Sequence, residues 1–289
     1  MEGKTLSVRL KTTIKCSILA LTTMMPVRAW ATPRELPFTY PVETLPQGSL
    51  ELEMYGDMTP LRVYASPSDP WHPPDPSQGR LWEPAYQLQN EFEYGLTDFI
   101  ELGFYQVFVA NPADGGSNTI TFDGMKWRVR GRLADPGQWP IDVGWYAELE
   151  TKHDELSLEG KVLLAKRWGR LHWMANLWVE ASEQRPFDED QRTFHFILNP
   201  TTGVAYQVTP TFHPGIEYWA RGEVGTVGDT QTDVINNRIH HFLGPSAHVD
   251  FGKLWWTVGF YADLNNVNKP QPGEAYGAFW VRSVLGLNL

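Results

Sequence analysis

The chain has 289 residues, with 24 Lys or Arg against 34 Asp or Glu and a formal charge of −10. That acidic balance, with no basic run, speaks against a nucleic-acid partner. Mean hydropathy is −0.35, and beyond the N-terminus no apolar stretch reaches the ~20 residues of a spanning helix. Strands, in which only every second residue need be apolar, are the remaining way across a bilayer.

Lys4, Arg9, Lys11 and Lys15 form a basic start, Cys16 to Met25 a short apolar stretch, and Ala29-Trp30-Ala31 a small-x-small cleavage site. Residues 1–31 therefore read as a cleaved secretory signal peptide. Their removal takes away five Lys or Arg and one Glu, so the charge falls from −10 to −14. Cys16, the single cysteine, leaves with them, so neither a disulfide nor a thiolate metal site is expected. Residues 32–47, rich in proline, read as a periplasmic lead-in, and residues 48–289 as one barrel domain.

Residues 49–55 alternate Leu50, Leu52 and Met54 with Glu51 and Glu53, a strand with one apolar face. Residues 56–84, with Pro60, Pro67, Pro70, Pro73, Pro74 and Pro76, read as a long loop. Two strands follow, about 86–94 and 99–110, around the tight turn Gly95-Leu96-Thr97-Asp98. In the next, Met125, Trp127, Val129, Gly131 and Leu133 oppose Lys126, Arg128, Arg130 and Arg132. Residues 141–150 put Trp145, Ala147 and Leu149 opposite Tyr146, Glu148 and Glu150. Further strands are expected at about 155–167, 171–179, 192–208, 215–223, 239–251, 254–262 and 276–289.

The expected fold is an all-β, closed, antiparallel, up-and-down transmembrane β-barrel of about twelve strands. Tight turns alternate with longer polar connections, which gives short periplasmic turns and longer extracellular loops. The rival is a soluble sandwich or small barrel. Against it stand strands of 9 to 13 residues, near the ~9–11 a tilted crossing needs, and aromatics such as Trp139, Trp168 and Phe251 beside the tight turns, suited to an interfacial girdle. Val281, Leu285, Leu287 and Leu289 also alternate to the last residue, as in barrels whose final strand is read by the barrel-assembly machinery. These features point to the outer membrane of a Gram-negative bacterium, with outer-membrane lipid as the surrounding partner.

Glu91-Phe92-Glu93-Tyr94-Gly95-Leu96-Thr97-Asp98 with Ile100-Glu101-Leu102-Gly103, and Phe242-Leu243-Gly244-Pro245-Ser246 with Phe251-Gly252-Lys253 and Trp255-Trp256, resemble two hairpins of a known family. It comprises outer-membrane barrels described as transporters of the meta-pathway phenol-degradation type. The resemblance implies a roughly twelve-stranded barrel and uptake of hydrophobic or aromatic compounds. It implies no catalytic motif and no cofactor.

The phase of the strands turns Lys126, Arg128, Arg130, Arg132, Glu91, Glu93, Glu148 and Glu150 into the lumen. They form either a cross-strand salt-bridge network or a field across a water-filled pore that orients polar solutes. This set is the first candidate for solute contact, and the leading function is passage or uptake of small molecules. The alternative is a plugged barrel acting in surface structure or recognition. An outer-membrane hydrolase is a third reading, since Ser246, His248 and Asp250 share one face of a strand. His172, His195, His240 and His248 share the inward phase, but no metal site is expected because a metal needs them at one height. Trp71, Trp82 and Tyr64 in the proline-rich loop are further candidates for contact with an apolar solute.

Overall fold

The computed structural model describes residues 34–64, 80–110, 119–184, 192–228, 239–265 and 276–289. The proposed signal peptide, and within the proline-rich loop Trp71, lie outside those residues. Thirteen strands follow in order: β1 (Leu50–Tyr64), β2 (Arg80–Thr97), β3 (Ile100–Ala110), β4 (Thr121–Arg132), β5 (Asp142–Lys152), β6 (Glu155–Trp168) and β7 (Leu171–Gln184). Then come β8 (Thr193–Leu198), β9 (Thr201–Tyr206), β10 (Phe212–Gly228), β11 (His240–Asp250), β12 (Leu254–Asp263) and β13 (Phe279–Asn288).

Every pairing is antiparallel, and β13 closes on β1 from Glu51↔Asn288 to Met58↔Val281. The ring has twelve staves rather than thirteen. β8 and β9 both lie between β7 and β10 and are one stave interrupted at Asn199–Pro200. Proline brings no N–H to a ladder, yet Asn199 still donates to Trp178 O and Pro200 O still accepts from Ala220 N. Within the ring each stave is paired on both sides, which a structure in hydrocarbon requires. Gly169 and Gly252, at φ 58° and 96°, turn the chain tightly where a side chain would be strained.

Of the expected loop at 56–84, the described residues, 56–64 and 80–84, are strand. Residues 60–64 and 80–84 pair as a two-stranded ribbon, with Pro60 opposite Pro84. The pairings with the flanking strands end at Met58↔Val281 and Tyr86↔Ala110. Neither proline therefore sits where an outer neighbour would need its N–H, so the ribbon tolerates both.

Burial is inverted relative to a protein in water. Outward-facing Leu158, Leu177 and Val179 are 61%, 58% and 58% exposed, while inward-facing Glu91, Glu101 and Arg128 are almost fully covered. Apolar side chains protrude all round the ring, too many for the surface of a soluble monomer. β6 and β7, at 14 residues each, are long enough to cross a bilayer at a tilt. No helix among the described residues is long and apolar enough to cross a membrane.

Candidate functional site: a lumen closed by its own N-terminal segment

Residues 34–45, expected as part of a periplasmic lead-in, lie inside the barrel. Leu36, Phe38, Tyr40, Val42 and Leu45 are buried, and so are Arg34 and Glu35. Prolines at 37, 41 and 46 remove donors and block a regular ladder. The remaining backbone groups must find side chains, because an unpaired buried peptide group is costly. Glu217 on β10 accepts from Phe38 N (3.0 Å) and Thr39 N (2.6 Å). Asn176 on β7 accepts from Tyr40 N at 2.7 Å and donates to Tyr40 O at 3.0 Å. Glu101 on β3 accepts from Leu45 N at 2.8 Å, and Asp98 at the β2–β3 turn accepts from Gln47 N at 2.9 Å.

These partners trace a loop. The segment enters at the short-turn end beside Asp98, rises to Phe38–Tyr40, and returns to Glu35, whose carboxylate meets His172 and His213. Burial works against charge on Glu35, yet these hydrogen bonds hold its carboxyl below the ordinary carboxylate range. Leu36 fills a notch made by two glycines: a Cβ on Gly203 or Gly215 would lie 2.7 or 3.1 Å from its methyls. Around this plug the lumen is packed like a protein core. Leu36, Tyr40 and Val42 pack with Tyr146, Leu163 and Met174; Phe38 packs with Trp219, Phe242 and Tyr261.

All eight candidate lumen residues face inward, but they divide into three groups. Arg128 forms ion pairs with Glu91 (2.8 Å), Glu93 (2.7 Å) and Glu101, and Arg130 is bonded twice to Glu101 at 2.7 and 2.9 Å. Their side chains are at most 3% exposed. Arg132 reaches Asp135 and Asp98 O at the short-turn end. Cations and carboxylates are thus interleaved between neighbouring strands instead of facing each other across a pore. Lys126, paired with Glu148 at 3.1 Å and Glu150 at 3.5 Å, borders open space instead.

That space is a cavity of about 480 Å³ above the plug. Phe38 and Tyr40 of the plug form part of its lining, with Trp178, Trp219, Tyr276 and Trp280 supplying aromatic wall. Lys126, Glu148, Glu150, Glu159, Lys161 and Arg221 supply charge, and the cavity extends to Lys152, Glu155 and Gln184 at the long-connection end. Lys161 sits 4.3, 4.0 and 3.8 Å over the rings of Tyr40, Tyr146 and Trp178, so part of its charge is met by π-faces.

The hydrolase constellation does not assemble. Successive same-face residues of a strand are ~6.5–7 Å apart; His248 Nδ1 bonds Thr257, Asp250 accepts from Gly252 N, and buried Ser246 Oγ has no partner. Nor do the four histidines converge: His172 meets Glu35, His195 meets Glu223, and His240 meets Asp263. Trp82 projects from the outer face of β2. The plug and its receptors Asn176, Glu217 and His213 are the site residues that strand phase alone did not bring forward.

No protein-family model matches the chain, and no curated protein matches it. Among solved structures it is similar to an outer membrane channel from Pseudomonas putida F1, at 15% identity and a TM-score of 0.61, over 86% of this chain and 98% of that one. It is also similar to the NanC porin, at 9% identity and a TM-score of 0.53, over 82% of this chain and all of that one. Likeness at such identities establishes the architecture: a transmembrane barrel of the outer-membrane kind.

Proposed function

We propose that this protein is an outer-membrane channel for small solutes, held shut at rest by its own N-terminal segment. The observation that carries this reading is the vestibule of about 480 Å³ that ends on the plug side chains Phe38 and Tyr40. A barrel kept only for rigidity has no need of a chamber at its long-connection end. Similarity to an outer membrane channel and to a porin supports the same reading. Aromatic walls beside charged ones favour solutes with an aromatic or apolar body, in line with the family resemblance. Of the candidate contact residues, Lys126, Glu148 and Glu150 are the ones a solute in the vestibule would meet. Arg128, Arg130, Glu91 and Glu93 serve the wall and the plug seat, and Arg132 the turn beneath. We assign the chain no enzymatic step.

The test is single-channel recording in a planar bilayer, with the full chain and with a chain lacking residues 34–46. The full chain is expected to be almost silent, and the shortened one to give discrete conductance steps. A shortened chain that folds and inserts yet stays silent overturns the channel in favour of a structural or recognition barrel.

A further inference from the structure

His213, at the start of β10, stands directly opposite His248 on β11. That register gives the pair the common height which the four histidines read from strand phase lack. The two ring centroids are 5.4 Å apart, with the planes inclined at 44°. Two imidazoles bound through one nitrogen each to a tetrahedral ion put their ring centres about 5 Å apart, given metal–nitrogen distances of ~2.0–2.1 Å. Both side chains are buried, at 6% and 0% exposure.

Each ring is held through one nitrogen, and in both it is Nδ1. His213 Nδ1 donates to the Glu35 carboxylate at 2.8 Å. His248 Nδ1 meets Thr257 Oγ1 at 2.7 Å. Thr257 donates its own proton to Arg34 O at 2.5 Å. A carbonyl can only accept, so the Thr257 oxygen must accept from His248. Both rings therefore carry a proton on Nδ1, and the neutral imidazole has its lone pair on Nε2. Among the described residues neither Nε2 has a hydrogen-bond partner, although both are buried. Ser246 Oγ, on the same face of β11, is also buried without one. Buried polar atoms are ordinarily paired, and an imidazole oriented through Nδ1–H with Nε2 free is the form in which histidine ligates a metal. The carboxylates of Glu35 and Asp250 act on His248 through their charge, which offsets that of a cation placed in the wall.

We propose that His213 and His248 hold one imidazole-preferring transition-metal ion, such as zinc, through their Nε2 atoms, with water completing its shell, and that this ion locks the plug in place. The lock follows from what orients the two ligands. Glu35 and Arg34 are adjacent plug residues: one holds His213 directly, and the other holds His248 through Thr257. A docked plug shapes the site, so by reciprocity a bound ion favours the docked plug by the same factor. The lock rests on the channel reading, whereas the ion site stands apart from it. Nitrogen ligands select against Ca²⁺ and Mg²⁺, which seek oxygen. β10 begins at Phe212 and β11 ends at Asp250, so the site lies at the short-turn end, where the plug itself enters.

The experiment is calorimetric titration of the refolded full chain with Zn²⁺, repeated on His213→Gln, His248→Gln and Glu35→Gln, with His195→Gln as control and Zn²⁺ added in parallel to the bilayer recordings. The full chain and the His195 variant are expected to bind Zn²⁺ alike, and either ligand variant to lose that site. Glu35→Gln, and the chain lacking residues 34–46, are expected to bind about 10–100-fold more weakly. Zn²⁺ is expected to make the residual openings of the full chain about tenfold rarer or more, and a chelator to restore them. Electron paramagnetic resonance of Cu²⁺ on the unaltered full chain carries the ligand assignment if a variant fails to refold, with hyperfine lines from two nitrogens expected. Zn²⁺ bound equally well by both ligand variants is an adventitious surface ion only and overturns the site, as does a Cu²⁺ spectrum without two nitrogens. Zn²⁺ bound through both histidines with the same affinity whether or not the plug is present overturns the lock. A plug-deleted chain that is silent while the two histidines still bind Zn²⁺ overturns the channel and leaves the ion site standing.

Discussion

Arg128 and Lys126 are two residues apart on the same face of β4, and their surroundings give them different tasks. Arg128 is sealed among Glu91, Glu93 and Glu101. Removing one partner of such a cluster strands buried charge, which costs about 3–5 kcal/mol. Arg128→Gln is therefore expected to lower the urea midpoint of the refolded barrel sharply while leaving ion selectivity of the plug-deleted pore nearly unchanged. Lys126, at 15% side-chain exposure beside the vestibule, has water as an alternative partner. Lys126→Gln is expected to shift the reversal potential towards cations and to lower the unfolding free energy by less than about 1 kcal/mol. A selectivity change in the Arg128 variant alone would reverse the assignment. Parity in the sequence told which way these side chains point. It carried no depth along the strand, and depth separates a sealed pair from a solvent-facing one.

At the scale of the element, the plug owes its place to side chains acting as a substitute ladder. Asn176 meets both the N–H and the C=O of Tyr40, as a neighbouring strand would. Asn176→Leu would leave both groups without partners, at about 1–3 kcal/mol each, and so favour undocking by about tenfold or more. The expected readout is more frequent channel opening and faster proteolysis between residues 34 and 47, with the barrel itself intact. Unchanged opening would mean that packing of Leu36 and Val42, and not this pair, holds the plug. The barrel staves were legible because their alternation runs for many residues. The plug's own alternation, Leu36, Phe38, Tyr40 and Val42, is equally regular. Its prolines made it read as a linker, because a segment that cannot form a ladder is ordinarily exposed. Glu217, Asn176 and Glu101 invert that inference, yet no local pattern ties residue 217 to residue 38. The same prolines-mean-loop rule hid the β1–β2 ribbon, where two prolines lie opposite each other beyond the reach of outer strands.

For the whole molecule, the decisive contrast is between the two faces of a closed wall. Leu177, near the middle of β7, is 58% exposed, and Leu171, at the short-turn end of the same strand, is 36% exposed. Were the solvent water, arginine at either site would be close to neutral, within about 0.5 kcal/mol. In a bilayer the cost depends on depth: about 2–4 kcal/mol at the midplane and about 0–1 near the interface. Leu177→Arg is therefore expected to destabilise the barrel in lipid vesicles by several times as much as Leu171→Arg, measured by reversible urea unfolding. Equal and small effects would mean that the outer face is not a lipid face, and the transmembrane reading would fall with it. The same experiment bears on the plug. An outer wall fixed by lipid and a closed hydrogen-bonded ring leave the barrel little freedom to change its own diameter. Opening must then come from a part that the ring does not hold by ladder bonds. Within the described residues, the segment from Arg34 to Gln47 is held by side chains from β1, β3, β7 and β10 instead, which makes it the element able to leave while the wall stays closed.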